Sequence, residues 1–123
     1  MGFSKRERNL VRNYYPKQSD ILFLDFNPTL GHEQKGYRPA IVISNNVFND
    51  NTKMAMVLPI SSNIKEFPTH HILKTSKKIS GAVLCEHIKS IDYEARNIKY
   101  VETLNEDEFN EIIDLFNACI EKE

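Results

Sequence analysis

"GHEQKGYRPAIVIS" (residues 31–44) runs from a loop rich in glycine and charge straight into a strand. Its second half, "RPAIVIS" (38–44), has the β-branched density of a strand buried on both faces. Pro39 belongs at the start of that strand, where its missing N–H interrupts no ladder. Arg38 therefore stands where loop becomes strand. Across the junction, His32, Glu33, Lys35 and Arg38 fall within seven positions. Gly31 and Gly36 allow such a loop to approach a ligand closely, and a carboxylate near a guanidinium can act as base and anion clamp. A solvated loop with a Glu33–Arg38 or Glu33–Lys35 surface pair accounts for the same residues. Residue types alone leave both readings open.

Upstream, "DILFLDF" (20–26) reads as a strand that ends at an Asn-Pro turn. Downstream, the polar "NNVFNDNTK" (45–53) has room for one helical turn. "MAMVLPIS" (54–61), "EFPTHHILK" (66–74), "GAVLCEHIKSID" (81–92) and "NIKYVETL" (97–104) predict further short strands, with "SKKISG" (76–81) as a turn. Such a series suggests a small barrel or a strongly bent sheet. The C-terminal stretch differs: Phe109, Ile112, Ile113, Phe116, Cys119 and Ile120 fall on one face of a helix. Asn105 with Glu108 three residues on resembles a capping box, and acids gather in the first turn, where the helix dipole favours them. "FSKRERNLVRN" (3–13) predicts a short peripheral helix, broken before Pro16. The fold class expected is mainly β with helices.

The length of 123 residues fits a single domain, 1–123. No apolar run approaches the roughly 20 residues that cross a bilayer, and no apolar segment backs the basic N-terminus as in a secretion signal. Neither a membrane nor an export role is expected. Cys85 and Cys119 make no disulfide framework, which fits a reduced, cytoplasmic setting. Net charge is −1, but 15 basic residues face 9 acidic ones through position 101, against 1 and 8 after it. A basic body followed by an acidic tail suits a phosphate-bearing partner as well as it suits an ordinary solvated surface.

P-loop, GxGxxG and GxSxG patterns are absent, which removes nucleotide-hydrolysis and α/β-hydrolase readings. His70, His71, Cys85 and His87 invite a metal site. On strands, however, His70 and His71 point to opposite faces while Cys85 and His87 share one, and no metal motif has this spacing. No metal and no cofactor are expected. Cys85 reads as a core thiol and His87 as a surface imidazole. Lys74, Lys77, Lys78, Lys89, Arg96 and Lys99, with Tyr37, Phe67 and Tyr93, offer charge and stacking surfaces to a nucleic acid, or form a plain lysine-rich exterior.

"DILFLDFNPTL", "GHEQKGYRPAIVIS", "VLPISS" and "GAVLCEHIKSID", in that order and spacing, closely resemble the MazF/PemK family of bacterial toxin endoribonucleases, over about residues 19–120. The resemblance implies an SH3-like β-barrel of the MazF/PemK/CcdB toxin type with a C-terminal helix. It further implies a homodimer, with single-stranded RNA in a groove at the dimer interface, and a cognate antitoxin that covers this groove with an acidic segment. Activity would be metal-independent cleavage of mRNA at short sequence motifs, leaving a 2′,3′-cyclic phosphate. Carried over residue by residue, Arg38 is the catalytic arginine, Glu33 the loop carboxylate, and Ser61 stands where the family often has a catalytic threonine. His32 is a further acid–base candidate; Gln34, Lys35 and Lys89 fall in RNA-contacting regions. Glu86 and His87 depart from the family's pattern, and residues 1–18, a basic extension, have no family counterpart. Two competing readings are a protein-binding toxin of the same fold that inhibits gyrase, and a non-catalytic RNA-binding barrel. The "EQKGYRP" loop speaks against the first, since a protein inhibitor needs no arginine–carboxylate–hydroxyl set.

Overall fold

Alternation with a period of two governs the centre of the molecule. In the computed structural model, which describes residues 14–26 and 36–123, strands β1 (Asp20–Asp25), β2 (Tyr37–Val42) and β3 (Met54–Ser61) are antiparallel neighbours. Successive side chains point to opposite faces, and here both faces are apolar. Ile21, Ile41, Leu58 and Ile60 join one buried cluster; Leu22, Leu24, Ala40, Val42, Ala55 and Val57 join the other. Double burial explains why "RPAIVIS" is a continuous apolar run instead of an alternating one. The helix expected over 3–13 lies outside the described residues, as do His32, Glu33, Gln34 and Lys35.

Around this centre come β4 (His70–Ile72), β5 (Ala82–Leu84), β6 (Lys89–Asp92) and β7 (Lys99–Thr103), in the spatial order β4-β5-β3-β2-β1-β7, with β6 also on β3. The outermost strands, β4 and β7, do not pair with each other, so the sheet is a bent, open barrel. One expectation needs correction. "GAVLCEHIKSID" is not one strand: Val83 faces Ile60 and Lys89 faces Val57, so six residues answer to three across the ladder. The surplus forms a 3-10 turn, Cys85–His87. Extra residues on one strand cannot stay in the pleat; they loop out and bend the sheet. Cys85 enters the core at this turn, so the strand rule that put it on one face with His87 does not apply.

Helix α1 (Asn46–Thr52) is longer than the single turn expected. The Asn45 side chain accepts the Phe48 N–H at 2.8 Å, and Lys53 closes the helix in the left-handed region at φ 58°. Its anchor is polar: buried Asn49 donates to the Pro16 carbonyl at 2.8 Å and accepts from Ser44, and its own carbonyl takes the Tyr93 hydroxyl at 2.9 Å. A helix held this way shows no apolar periodicity. Helix α2 (Glu106–Ile120) does show it: Phe109 and Ile112 are buried, and Ile113, Leu115 and Phe116 pack on the first cluster. The stripe outruns the sheet, leaving Cys119 exposed and Ile120 65% exposed.

The capping box is half formed. Asn105 accepts the Glu108 N–H at 3.1 Å, but the Glu108 carboxylate, 1% exposed, turns to the segment after β4. There it accepts His71 Nε2 at 2.7 Å, the Lys74 N–H at 2.7 Å, the Thr75 N–H at 2.8 Å and the Thr75 hydroxyl. Burial pushes this carboxyl up, yet the hydrogen bonds from Thr75, His71 and Lys74 outweigh it and hold the group down at about 2. Its contribution to stability is therefore present above the usual value of 4.5 and is lost as pH falls toward 2. Between pH 4.5 and 2 the urea unfolding free energy is expected to drop by about 3 kcal/mol through this group. Glu108→Gln should flatten the drop, and an unchanged pH slope in that variant would contradict the assignment.

Candidate active site

Arg38 is the second residue of β2, exposed, with Leu24 opposite it on β1. The approach to it is set by Gly36, at φ +85°, whose carbonyl accepts the Phe26 N–H at 2.9 Å. Tyr37 stacks on Phe23, with ring centroids 5.5 Å apart and planes 18° apart. That pair occupies one face of the strand end, which assigns Arg38 to the other, the face of Leu24 and Ala40. Ser61 ends β3. Ile41 faces Leu58 and Ala40 faces Pro59, where the paired ladder ends; Arg38 and Ser61 each lie two residues from that last pair, so by the period of two they keep its face. A guanidinium and a hydroxyl, 23 positions apart in the chain, thus lie on the same face of neighbouring strands, each two residues past the last paired position.

The Ser61 hydroxyl is already oriented. Its Oγ accepts the Asn63 N–H at 3.1 Å, which leaves its proton free to donate elsewhere. Lys89 faces Val57 on the same face, four residues down β3 from Ser61, a separation of roughly 13 Å along the strand. The ladder also brings in a group the sequence reading missed. Ser61 faces Ala82, Ala82 faces Ile72, and His70 faces Leu84, so His70 belongs to the Arg38–Ser61 face. His70 lies between the Glu86 carboxylate, 2.8 Å from Nε2, and the Lys65 carbonyl, 3.0 Å from Nδ1. The Thr69 hydroxyl donates to Glu86 at 2.7 Å, and His87 Nε2 lies 3.6 Å from it. Burial pushes the Glu86 carboxyl up, but the Thr69 and His70 hydrogen bonds bring it below its usual value. Residues 70 and 86 carry no local signal of this pairing, which arises from the turn at Cys85–His87.

An open groove of about 650 Å3 follows the free edge of β4, lined by Phe67, Pro68, His70, Ile72, Lys74 and Glu111 among others. Within it Lys74 is paired with Glu111 at 2.7 Å, and His70 lies against Glu86. Among the described residues, no group of three or more His, Cys, Asp or Glu is placed to hold a metal ion, and no helix is long and apolar enough to cross a membrane.

Residues 17–119 match the family model of PemK-like, MazF-like toxins of type II toxin–antitoxin systems. The chain belongs to this family. An endoribonuclease toxin MazF of Escherichia coli strain K12 is 32% identical over 111 residues, which span 90% of this chain and 99% of that one. An endoribonuclease PemK of Escherichia coli is 30% identical, with 86% of this chain and 84% of the relative covered. The crystal structure of a MazF from Deinococcus radiodurans superposes with a TM-score of 0.83 at 29% identity, over 89% of this chain and all of that one. The barrel with a C-terminal helix is thus the fold of this toxin family.

Cys85 is 1% exposed, and burial pushes its thiol up to about 12, so it is no nucleophile for His87 to activate. Cys119 is exposed. A thiol reagent at neutral pH should label one cysteine in the folded protein and two in urea; rapid labelling of Cys85 in the folded state would contradict its burial.

Proposed function

We propose that Arg38 and Ser61 bind and activate the scissile phosphate of single-stranded RNA, cleaved within its chain. The protein is a toxin of a type II toxin–antitoxin system with endoribonuclease function. The observation that carries the site assignment is the β2–β3 register, which sets the two side chains on one face at adjoining strand ends.

Cleavage without a metal uses the substrate's own 2′-hydroxyl. A base removes its proton, the 2′-oxygen attacks phosphorus, and the 5′-oxygen leaves with a proton from an acid. The products are a 2′,3′-cyclic phosphate and a 5′-hydroxyl. Charge builds on the phosphate oxygens during the attack, where a permanently protonated guanidinium able to donate two parallel hydrogen bonds stabilises it most. Ser61 donates to a phosphate oxygen with the proton that its bond to Asn63 leaves free. Glu33 is the candidate base and His32 a second acid–base group, both in the stretch of sequence that precedes Gly36. Gln34, Lys35 and Lys89 are the further candidates for contact with the RNA. Recognition of a short sequence motif would follow from these contacts, and cleavage of mRNA would arrest translation and growth.

A cognate antitoxin is the expected protein partner, as the family description implies, and we read the working form as a homodimer in the cytoplasm. The protein is read as one domain over 1–123, with residues 1–18 as a basic extension.

Purified protein with a fluorescent single-stranded RNA and excess EDTA tests the reading. Defined cuts are expected, with 5′-hydroxyl ends. Arg38→Ala should lower kcat by about 10²–10³, the usual loss when one donor to a developing oxyanion is removed. Wild-type rates in that variant would refute the role of Arg38. RNA that is bound but never cut would favour the non-catalytic barrel.

A further inference from the structure

Ser61 is bounded on its second edge by the start of β5. Its ladder partner is Ala82, and Gly81 comes directly before that partner. Gly81 has φ +151°, and a Cβ placed on it would lie 2.4 Å from the Ser61 carbonyl oxygen, 3.0 Å from Ile60 Cγ2 and 3.1 Å from the Ser61 carbonyl carbon. Two of these three atoms are backbone, so no side-chain rotation relieves the contact. Nor is Gly81 free to retreat, because its own carbonyl accepts the Leu73 N–H at 2.9 Å on the β4 side.

We propose that Gly81 is a positioning residue for the reaction: its missing side chain lets β5 close on the Ser61 backbone and so holds the Ser61 hydroxyl in line with Arg38. The inference rests on the role given above to Ser61. Restoring an ordinary contact of 3.4 Å from 2.4 Å moves the Ser61 backbone by up to 1.0 Å. Displacements of about 1 Å in a reacting group cost on the order of 10²-fold in rate. The hydrogen bond from the Asn63 N–H to Ser61 Oγ turns with that backbone, so hydroxyl and carbonyl move together. RNA binding by groups other than Ser61 need not change.

The test is a double-mutant cycle on RNA cleavage, with kcat and KM measured separately. Gly81→Ala is expected to lower kcat about 10²-fold at a KM within about twofold of wild type, while circular dichroism shows a folded chain. In a Ser61→Ala background the same substitution should cost less than about twofold, since there is no hydroxyl left to misplace. An equal loss in both backgrounds, or wild-type kcat in Gly81→Ala, overturns the inference and leaves the Ser61 assignment standing. Full activity of Ser61→Ala alone overturns both. If Gly81→Ala does not fold, Asn63→Pro provides the second variant: it removes the N–H that orients Ser61 Oγ at an exposed position. Its kcat loss, abolished in the Ser61→Ala background, supports the aimed hydroxyl; wild-type kcat in Asn63→Pro overturns it.

Discussion

Sliding β2 by one residue against β3 would turn Ile41 away from helix α2 and push it toward Ala55 and Val57, where Ala40 and Val42 now sit. The two faces of the sheet are both apolar but differ in size. Ile41, Leu58 and Ile60 meet the helix, whereas β2 and β3 present only Ala40, Val42, Ala55 and Val57 to the barrel interior. Overfilling that interior would cost on the order of 1–3 kcal/mol for each misplaced side chain. A slip also reverses every side chain on the strand. Steric volume thus locks the register, and the register is what gives Arg38 and Ser61 the same face.

A second set of constraints is polar and joins elements that apolar packing leaves loose. Glu108 at the start of α2 and Glu102 on β7 both accept from the segment after β4. Glu102 takes the Ser76 hydroxyl at 2.6 Å and the Lys77 and Lys78 N–H groups at 3.0 and 3.2 Å. With its backbone donors satisfied this way, the loop is tied to strand and helix at once. His71 binds Glu108 on one side of β4 and His70 binds Glu86 on the other, so a three-residue edge strand is braced on both faces. Satisfied buried polar groups of this kind add geometry that hydrophobic contact alone does not specify.

Legibility follows from how local each cause is. Strand β3 lies where its apolar pattern predicts, although it runs on to Ser61 instead of ending near Pro59, and α2 follows its periodic stripe, because each pattern lies within its own segment. Helix α1 escapes prediction as a full helix because its anchor, Asn49, reaches Pro16 and Tyr93, neither near it in the chain. The turn at Cys85–His87 escapes because "GAVLCEHIKSID" is a good strand by composition. Only its pairing with both halves of β3 shows three residues too many. At the site, Arg38 stands out by residue type and by resemblance to a toxin family and Ser61 by that resemblance alone, but nothing near either position in the chain says that they share a face.

The amino-acid sequence by itself determined the fold class, the apolar segments and the residue types able to handle a phosphate, since each depends on side-chain chemistry and spacing within a few residues. Tertiary structure alone decided which of these residues share a face: Arg38 with Ser61 and His70, and Gly81 against the Ser61 backbone. Those relations belong to strand register, and register is settled by the volumes that two distant strands and a helix can bury together.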